Sequence, residues 1–153
     1  MKKILPKVYR VRIIKRLSII AMLLCVPGGL ALADEITLYN SEGATIAYID
    51  TDDEMVIYLW NGRPVAYLKD GSVWGFNGKH RGWFEKGIIR DREGCVVGCI
   101  KNAVSMSYKF EPMKGMKGFI PLKGLRSMEP ARPMNRERWG ITPLSIFLAS
   151  GAR

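Results

Sequence analysis

The sequence is poor in groups that do chemistry. Its 153 residues include one histidine, His80, and three cysteines. A lone histidine without companion ligands cannot make an ordinary zinc site. No Gly-x-Ser-x-Gly, Walker or dinucleotide-binding glycine pattern occurs, so the common signatures of acyl, phosphoryl and hydride transfer are missing. No metal or cofactor is expected. Long apolar runs are also missing. The stretch from Leu17 to Val26 is broken by Pro27, Gly28 and Gly29, short of the ~20 residues that span a bilayer as a helix.

Acidic residues are absent from residues 1–33, which carry seven Lys and Arg. A basic start, a short apolar core and Ala31-Leu32-Ala33 before Asp34 read as a secretory signal peptide cleaved near Ala33. An uncleaved anchor is the alternative. Lipid attachment at Cys25 is disfavoured by the large Leu24 before it. The expected location is therefore the periplasm, the cell envelope or the exterior. Export also reshapes the charge. The whole chain is +10, but residues 34–153 hold 17 basic and 14 acidic side chains, a net +3. Residues 34–100 are net −4 and residues 101–153 net +7. Whole-chain charge would suggest nucleic acid, yet most of it sits in the segment expected to leave, so nucleic acid is not the expected partner.

Four stretches share a template: 38–49, 57–68, 73–84 and 89–100. Gly43, Gly62, Gly78 and Gly94 align, each followed four residues later by Ala47, Ala66, Gly82 or Gly98. Such self-similarity signals a repeat architecture. Each copy reads as a β-hairpin, because a glycine at the second turn position supplies the positive φ of a type I′ turn. The result is an all-β fold over residues 34–103, four hairpins in an eight-strand meander at about 36–41, 44–50, 55–60, 63–69, 72–76, 79–85, 88–92 and 95–101. Strict alternation puts Ile46, Val65, Arg81 and Val97 on one face with Tyr48, Tyr67, Trp83 and Cys99, and Ala47, Ala66, Gly82 and Gly98 on the other. The tiny residues are expected to meet at a crowded pseudo-fourfold axis while the large ones pack outward between hairpins. Cys95 and Cys99 lie four apart, roughly 13 Å along one strand, too far for a disulfide.

Residues 104–153 form a Pro/Lys-rich tail expected to dock on the hairpins. Pro112-Met113-Lys114-Gly115-Met116-Lys117 recurs nine residues later from Pro121, and again, degraded, from Pro130. Prolines exclude regular helix and central strand. The tail should run extended along the surface, alternating apolar contacts with basic side chains. A short helix is expected to begin at Thr142-Pro143.

Asn61-Gly62-x-Pro64-Val65-Ala66-Tyr67-Leu68, Phe76-Asn77-Gly78-Lys79-His80-x-Gly82-Trp83-Phe84, Tyr39-Asn40-x-x-Gly43, Ile89-x-Asp91-x-x-Gly94 and the Pro-Leu-Lys-Gly tail with Trp139 resemble the bacterial four-fold β-flower proteins, from about Ile36 to Leu148. The resemblance implies a fourfold arrangement of hairpins and no particular reaction.

Candidate sites lie where the repeat is broken. Lys79, His80 and Arg81 are a candidate anion-binding turn, set against a solvated turn. Asp50, Asp52, Asp53 and Glu54 are either a solvated acidic loop or a calcium loop lacking the usual spacing. Eight aromatics, Tyr39 to Trp83, are either packing or a binding face. Three functions follow. The leading one is a noncatalytic exported module that binds a protein partner or serves a structural role. The second is a binder of an anionic polymer or membrane surface through Lys114, Lys117, Lys123 and Arg126. The third, with least support, is an enzyme with a site near His80, since no nucleophile, base and orienting group are seen together.

Overall fold

The turn residues set the architecture. In the computed structural model, which describes residues 34–152, Gly43, Gly62, Gly78 and Gly94 have φ between +69° and +88°. The Asn40, Asn61, Asn77 and Asp91 side chains accept backbone N–H groups within the same turns. These glycines close hairpins between β1 (Glu35–Tyr39) and β2 (Thr45–Asp50), β3 (Val56–Leu59) and β4 (Pro64–Lys69), β5 (Ser72–Gly75) and β6 (His80–Glu85), and β7 (Ile88–Arg90) and β8 (Val96–Cys99). Every neighbouring pair is antiparallel, and β8 returns to β1 at Cys99 and Tyr39, closing an eight-stranded barrel without open edges. The expected signal segment, with Cys25, lies outside the described residues. No helix among the described residues is long and apolar enough to cross a membrane.

The expected strict alternation fails at one equivalent place in each hairpin. Leu38 pairs with Ala47 and Tyr39 with Thr45, so Ile46 is left over as a bulge. Val65, Arg81 and Val97 are skipped in the same way. A bulge turns two successive side chains to one side. Val65 and Ala66 therefore both enter the inner core, with Leu38, Ile57, Val73 and Ile89, and the bulged residues do not share the outer face with Tyr48 and Tyr67.

The inner core also shows what the tiny residues are for. Helix α1 (Leu144–Ala149) inserts Leu144, Phe147 and Leu148 among the barrel residues. A Cβ at Gly98 would lie 2.7 Å from a Leu144 methyl, and one at Gly82 would lie 3.0 Å from Phe147 Cζ and overlap the Arg90 carbonyl oxygen. The crowding expected among hairpins is thus joined by crowding against a plug helix: at Gly98 the neighbour is the plug, and at Gly82 it is both the adjacent hairpin's β7 and the plug.

Outside the barrel, Tyr48, Tyr58, Tyr67, Trp74 and Phe76 form a second, buried layer. Tyr48 stacks on Tyr58 at 5.3 Å and Tyr67 packs on Phe76 at 5.8 Å, joining neighbouring hairpins. Aromatic rings are buried on an outer wall only if something covers them, and the tail does.

Candidate functional site

The tail winds round the barrel in phase with the hairpins. The N–H groups of Lys109, Gly118, Ser127 and Arg136 donate to the carbonyls of Gly43, Gly62, Gly78 and Gly94 at 2.8–3.0 Å. The donors are nine residues apart, so each tail repeat serves one hairpin. Only three tail copies are visible in the sequence. The fourth, around Ser107, has lost its Pro and Lys and is recognised only by where it binds.

Within each nine-residue rung the side chains repeat in threes. Proline, glycine or serine at 112, 115, 118, 121, 124, 127, 130 and 133 alternates with an apolar residue and then a third, mostly cationic one. Three residues per turn is the period of polyproline II, so each class faces one direction. The directions reverse expectation, because the cations make the barrel contacts and the apolar side chains point to solvent. Lys114 Nζ sits 4.2 Å from the Tyr48 ring centre and 4.8 Å from that of Trp60, and Lys123 sits 4.7 Å from that of Tyr67. Arg126 covers Trp74 and Arg132 covers Trp83. A partly exposed ammonium over an aromatic face gains roughly 0.5–1 kcal/mol. Meanwhile Phe110, Met113, Met116, Phe119, Leu122, Leu125, Met128 and Met134 are 85–101% exposed.

Carboxylates fix the inward cations. Lys114 pairs with Glu35, and Lys117 with both Asp50 and Glu35, the latter at 2.9 Å. Burial opposes the charged form of Lys117, but its hydrogen bonds to Asp50 and Glu35 outweigh that, and its pKa rises above the usual lysine value. Glu35 is pulled down by the same two lysines against the opposing effect of burial.

One position sets the charge balance of each sector. Seven residues after each turn glycine stand Asp50, Lys69, Glu85 and Lys101. In the first sector Asp50 neutralises Lys117. In the third, Glu85 accepts from Arg132 and Asn135. In the fourth, Lys101 has no cation opposite, because Ser105 and Tyr108 take the tail places. In the second, Lys69 and Arg126 have no carboxylate partner among the described residues, and Lys123 pairs with Glu54 alone. A cavity of about 650 Å3 opens there, between Lys69, Lys123 and Arg126 over Met55, Tyr67 and Leu68.

The family model of the 4-fold beta flower proteins matches residues 36–148. The chain belongs to that family. No curated protein matches it, and no solved structure does. The matched span of this β-flower protein includes the barrel, the tail and most of the plug helix, so the girdle lies within the family's own boundaries.

The residues singled out by sequence scatter over the β-flower rather than converge. Lys79 is exposed. His80 is buried between Trp74 and Trp83, with ring centres 5.0 and 4.6 Å away. Arg81, as a bulged residue, turns the other way and donates to the Phe147 carbonyl and Ser150 hydroxyl of the plug. The three therefore present no common anion site. The acidic loop divides likewise. Asp50 and Glu54 hold tail lysines, whereas Asp53 accepts the Tyr58 hydroxyl at 3.0 Å. Cys95 and Cys99 are buried and unbridged. Cys99 stands where other hairpins carry Tyr or Trp, touches Met106 sulfur at 3.9 Å, and has its thiol pKa raised by burial. Arg90, not singled out from the sequence, takes the place of an outer aromatic. It is buried and donates to the carbonyls of Gly94 and Arg136.

His80 has a measurable consequence. Neither ring nitrogen has a hydrogen-bond partner, and Glu129 Oε1 is 3.9 Å from Nε2. Burial lowers the pKa most; Glu129 opposes this, and Arg92 and Arg81 reinforce it. With the folded pKa below the unfolded value of about 6.5, the unfolded chain binds the proton better. Stability is therefore whole above pH 6.5 and falls as pH drops from there through the folded pKa. We expect the melting temperature to fall between pH 7.5 and 5.5, and the fall to shrink in His80→Phe. An equal fall in both proteins would contradict the assignment.

Proposed function

We propose that this β-flower protein is a noncatalytic, exported module that docks a protein partner on the apolar row of its girdle. The exposure of Phe110 to Met134 at three-residue steps carries the reading. Isolated exposed apolar residues are ordinary, but seven large side chains in unbroken three-residue steps from Phe110 to Met128, with Met134 beyond Ala131, are what protein-binding surfaces present. Alternate side chains on an extended backbone suit recognition by a partner with regularly spaced pockets. The inward cations and the turn hydrogen bonds hold the row rigid, which lowers the entropy lost on docking.

The polyanion reading has weaker support. Lys114, Lys117 and Lys123 already face Glu35, Asp50 and Glu54, and a polymer would have to displace those carboxylates. An enzyme near His80 gains no support from a ring enclosed by two indoles.

The test is crosslinking of the chain beginning at Asp34 in its own envelope fraction, beside Met116→Ser/Phe119→Ser/Leu122→Ser. The replaced side chains are 85–101% exposed, so the melting temperature should stay within about 2 °C. One partner retained by the native chain and lost by the variant supports the proposal. Identical capture by both overturns it.

A further inference from the structure

The internal symmetry of the barrel supplies a template for a ligand. In the first sector an acidic side chain, Asp50, is nearly buried between the wall and the tail, where Lys117 holds its carboxylate. Each component has a counterpart in the second sector. Tyr67 stands for Tyr48, Glu54 for Glu35, Lys123 for Lys114 and Arg126 for Lys117. The cation–aromatic contacts are kept, with Lys123 over Tyr67 and Arg126 over Trp74. The carboxylate is not kept, because Lys69 occupies the place of Asp50. Removal of one negative charge and addition of one positive leave three cations, Lys69, Lys123 and Arg126, against Glu54. The same sector holds the cavity of about 650 Å3, within the size range of small-molecule sites.

Three cations lining one cavity repel one another unless an anion joins them. In the first sector the chain provides that anion. We propose that the second sector is a binding site for a small amphipathic carboxylate. Its headgroup takes the place corresponding to Asp50, between Lys69, Lys123 and Arg126. Its apolar body lies over Met55 and Leu68 and under the lip formed by Leu125. The guanidinium of Arg126 presents paired donors suited to a carboxylate. Lys123 is already shared with Glu54, so Arg126 and Lys69 are the main headgroup contacts. This site meets the protein-docking row at Leu125, which serves both, but its headgroup contacts are the cations rather than the apolar row, and its charge pattern occurs in one sector only.

Decanoate below its micelle concentration is the probe, with 1-decanol and acetate as controls. Amide chemical-shift mapping on the chain beginning at Asp34 should place decanoate shifts at residues 54–55, 67–69 and 123–126. Decanol, lacking the charge, and acetate, lacking the chain, should each bind at least tenfold more weakly. Lys69→Asp rebuilds the first sector's carboxylate within the second. It should weaken decanoate at least tenfold while keeping or raising the melting temperature, because Arg126 gains a partner. Arg126→Gln, a replacement on an exposed residue, should also weaken decanoate with the fold intact. Equal binding of decanoate and decanol, shifts spread over the surface, or decanoate affinity unchanged in Lys69→Asp would overturn the proposal. So would tighter binding of a peptide ending in Leu-carboxylate than of decanoate, which would make the occupant a partner chain.

Discussion

Gly82→Val is expected to abolish or cripple folding. The φ of Gly82 is not the difficulty, since it lies outside the left-handed region. The difficulty is space: a Cβ there would overlap the Arg90 carbonyl oxygen on β7 and press on Phe147 Cζ of the plug. Neither can yield cheaply. The β7 backbone is bonded on both sides within a closed barrel, and Phe147 is buried in the core. Overpacking of this kind costs about 4 kcal/mol or more, a large share of the 5–15 kcal/mol that keeps a domain folded. The expected fall in melting temperature is roughly 12–20 °C, with insoluble expression the extreme outcome. Gly71→Ala is the control. Its φ is +76°, so alanine is strained, but the nearest atom to a new Cβ is 3.8 Å away, and the cost should be only about 1–2 kcal/mol. A Gly82→Val protein that melts like Gly71→Ala would contradict the close approach of β7 and Phe147 to Gly82.

Gly62→Ala combined with Gly78→Ala should free the middle of the tail while the barrel remains. Both glycines have positive φ, +88° and +78°, and a Cβ at either would overlap a tail carbonyl, of Met116 or Leu125. The hairpins can absorb the strain locally. The rungs cannot stay, and with them go the bonds from Gly115 and Gly118 to Trp60 and Gly62, and from Gly124 and Ser127 to Phe76 and Gly78. The lysines then leave their aromatic seats. Trypsin should cut after Lys114, Lys117, Lys123 and Arg126 at least tenfold faster than in the native chain, since each 1.4 kcal/mol of lost local stability raises the open population tenfold. Trp60, whose indole donates to the Pro112 carbonyl at 3.0 Å, should become more solvated, with a red-shifted emission. An unchanged digestion pattern and emission would mean that the tail is held elsewhere.

The barrel was legible because turn chemistry is local. Asn61-Gly62 and Asn77-Gly78 mark hairpins, although the turns are not the expected type I′: only the glycines have positive φ, and their N–H groups close turns back to the Leu59 and Gly75 carbonyls. The eight strand positions follow within one or two residues. The bulges were not legible, since Ile46, Val65, Arg81 and Val97 read as ordinary alternating residues until their partners are known. That one-residue excess explains why Arg81 parts company with His80 and the expected cluster of Lys79, His80 and Arg81 does not form. The plug helix was expected, but its seat inside the barrel depends on contacts between distant parts of the chain. The tail carried a signal that the nine-residue repeat concealed. Its period of three, read with the aromatic positions, would have shown that lysines rather than methionines face the barrel. The second-sector cavity was likewise encoded in the series Asp50, Lys69, Glu85, Lys101, but that series acquires meaning only when Lys117 and Arg126 are known to sit opposite its first two members.

Much of what sets this β-flower protein apart from a plain barrel rests on the direction of its tail side chains. Cations pinned inward leave the apolar row free and leave one sector with unmatched charge. Methionine-methyl NMR with a water-soluble paramagnetic agent, on the dilute chain beginning at Asp34, measures that direction at the required positions. Strong broadening of Met113, Met116, Met128 and Met134, which are 89–96% exposed, is predicted, with clearly weaker broadening of the half-buried Met55 and Met106. Protected tail methyls, with Met55 and Met106 no better shielded than they are, would contradict the inward-cation girdle.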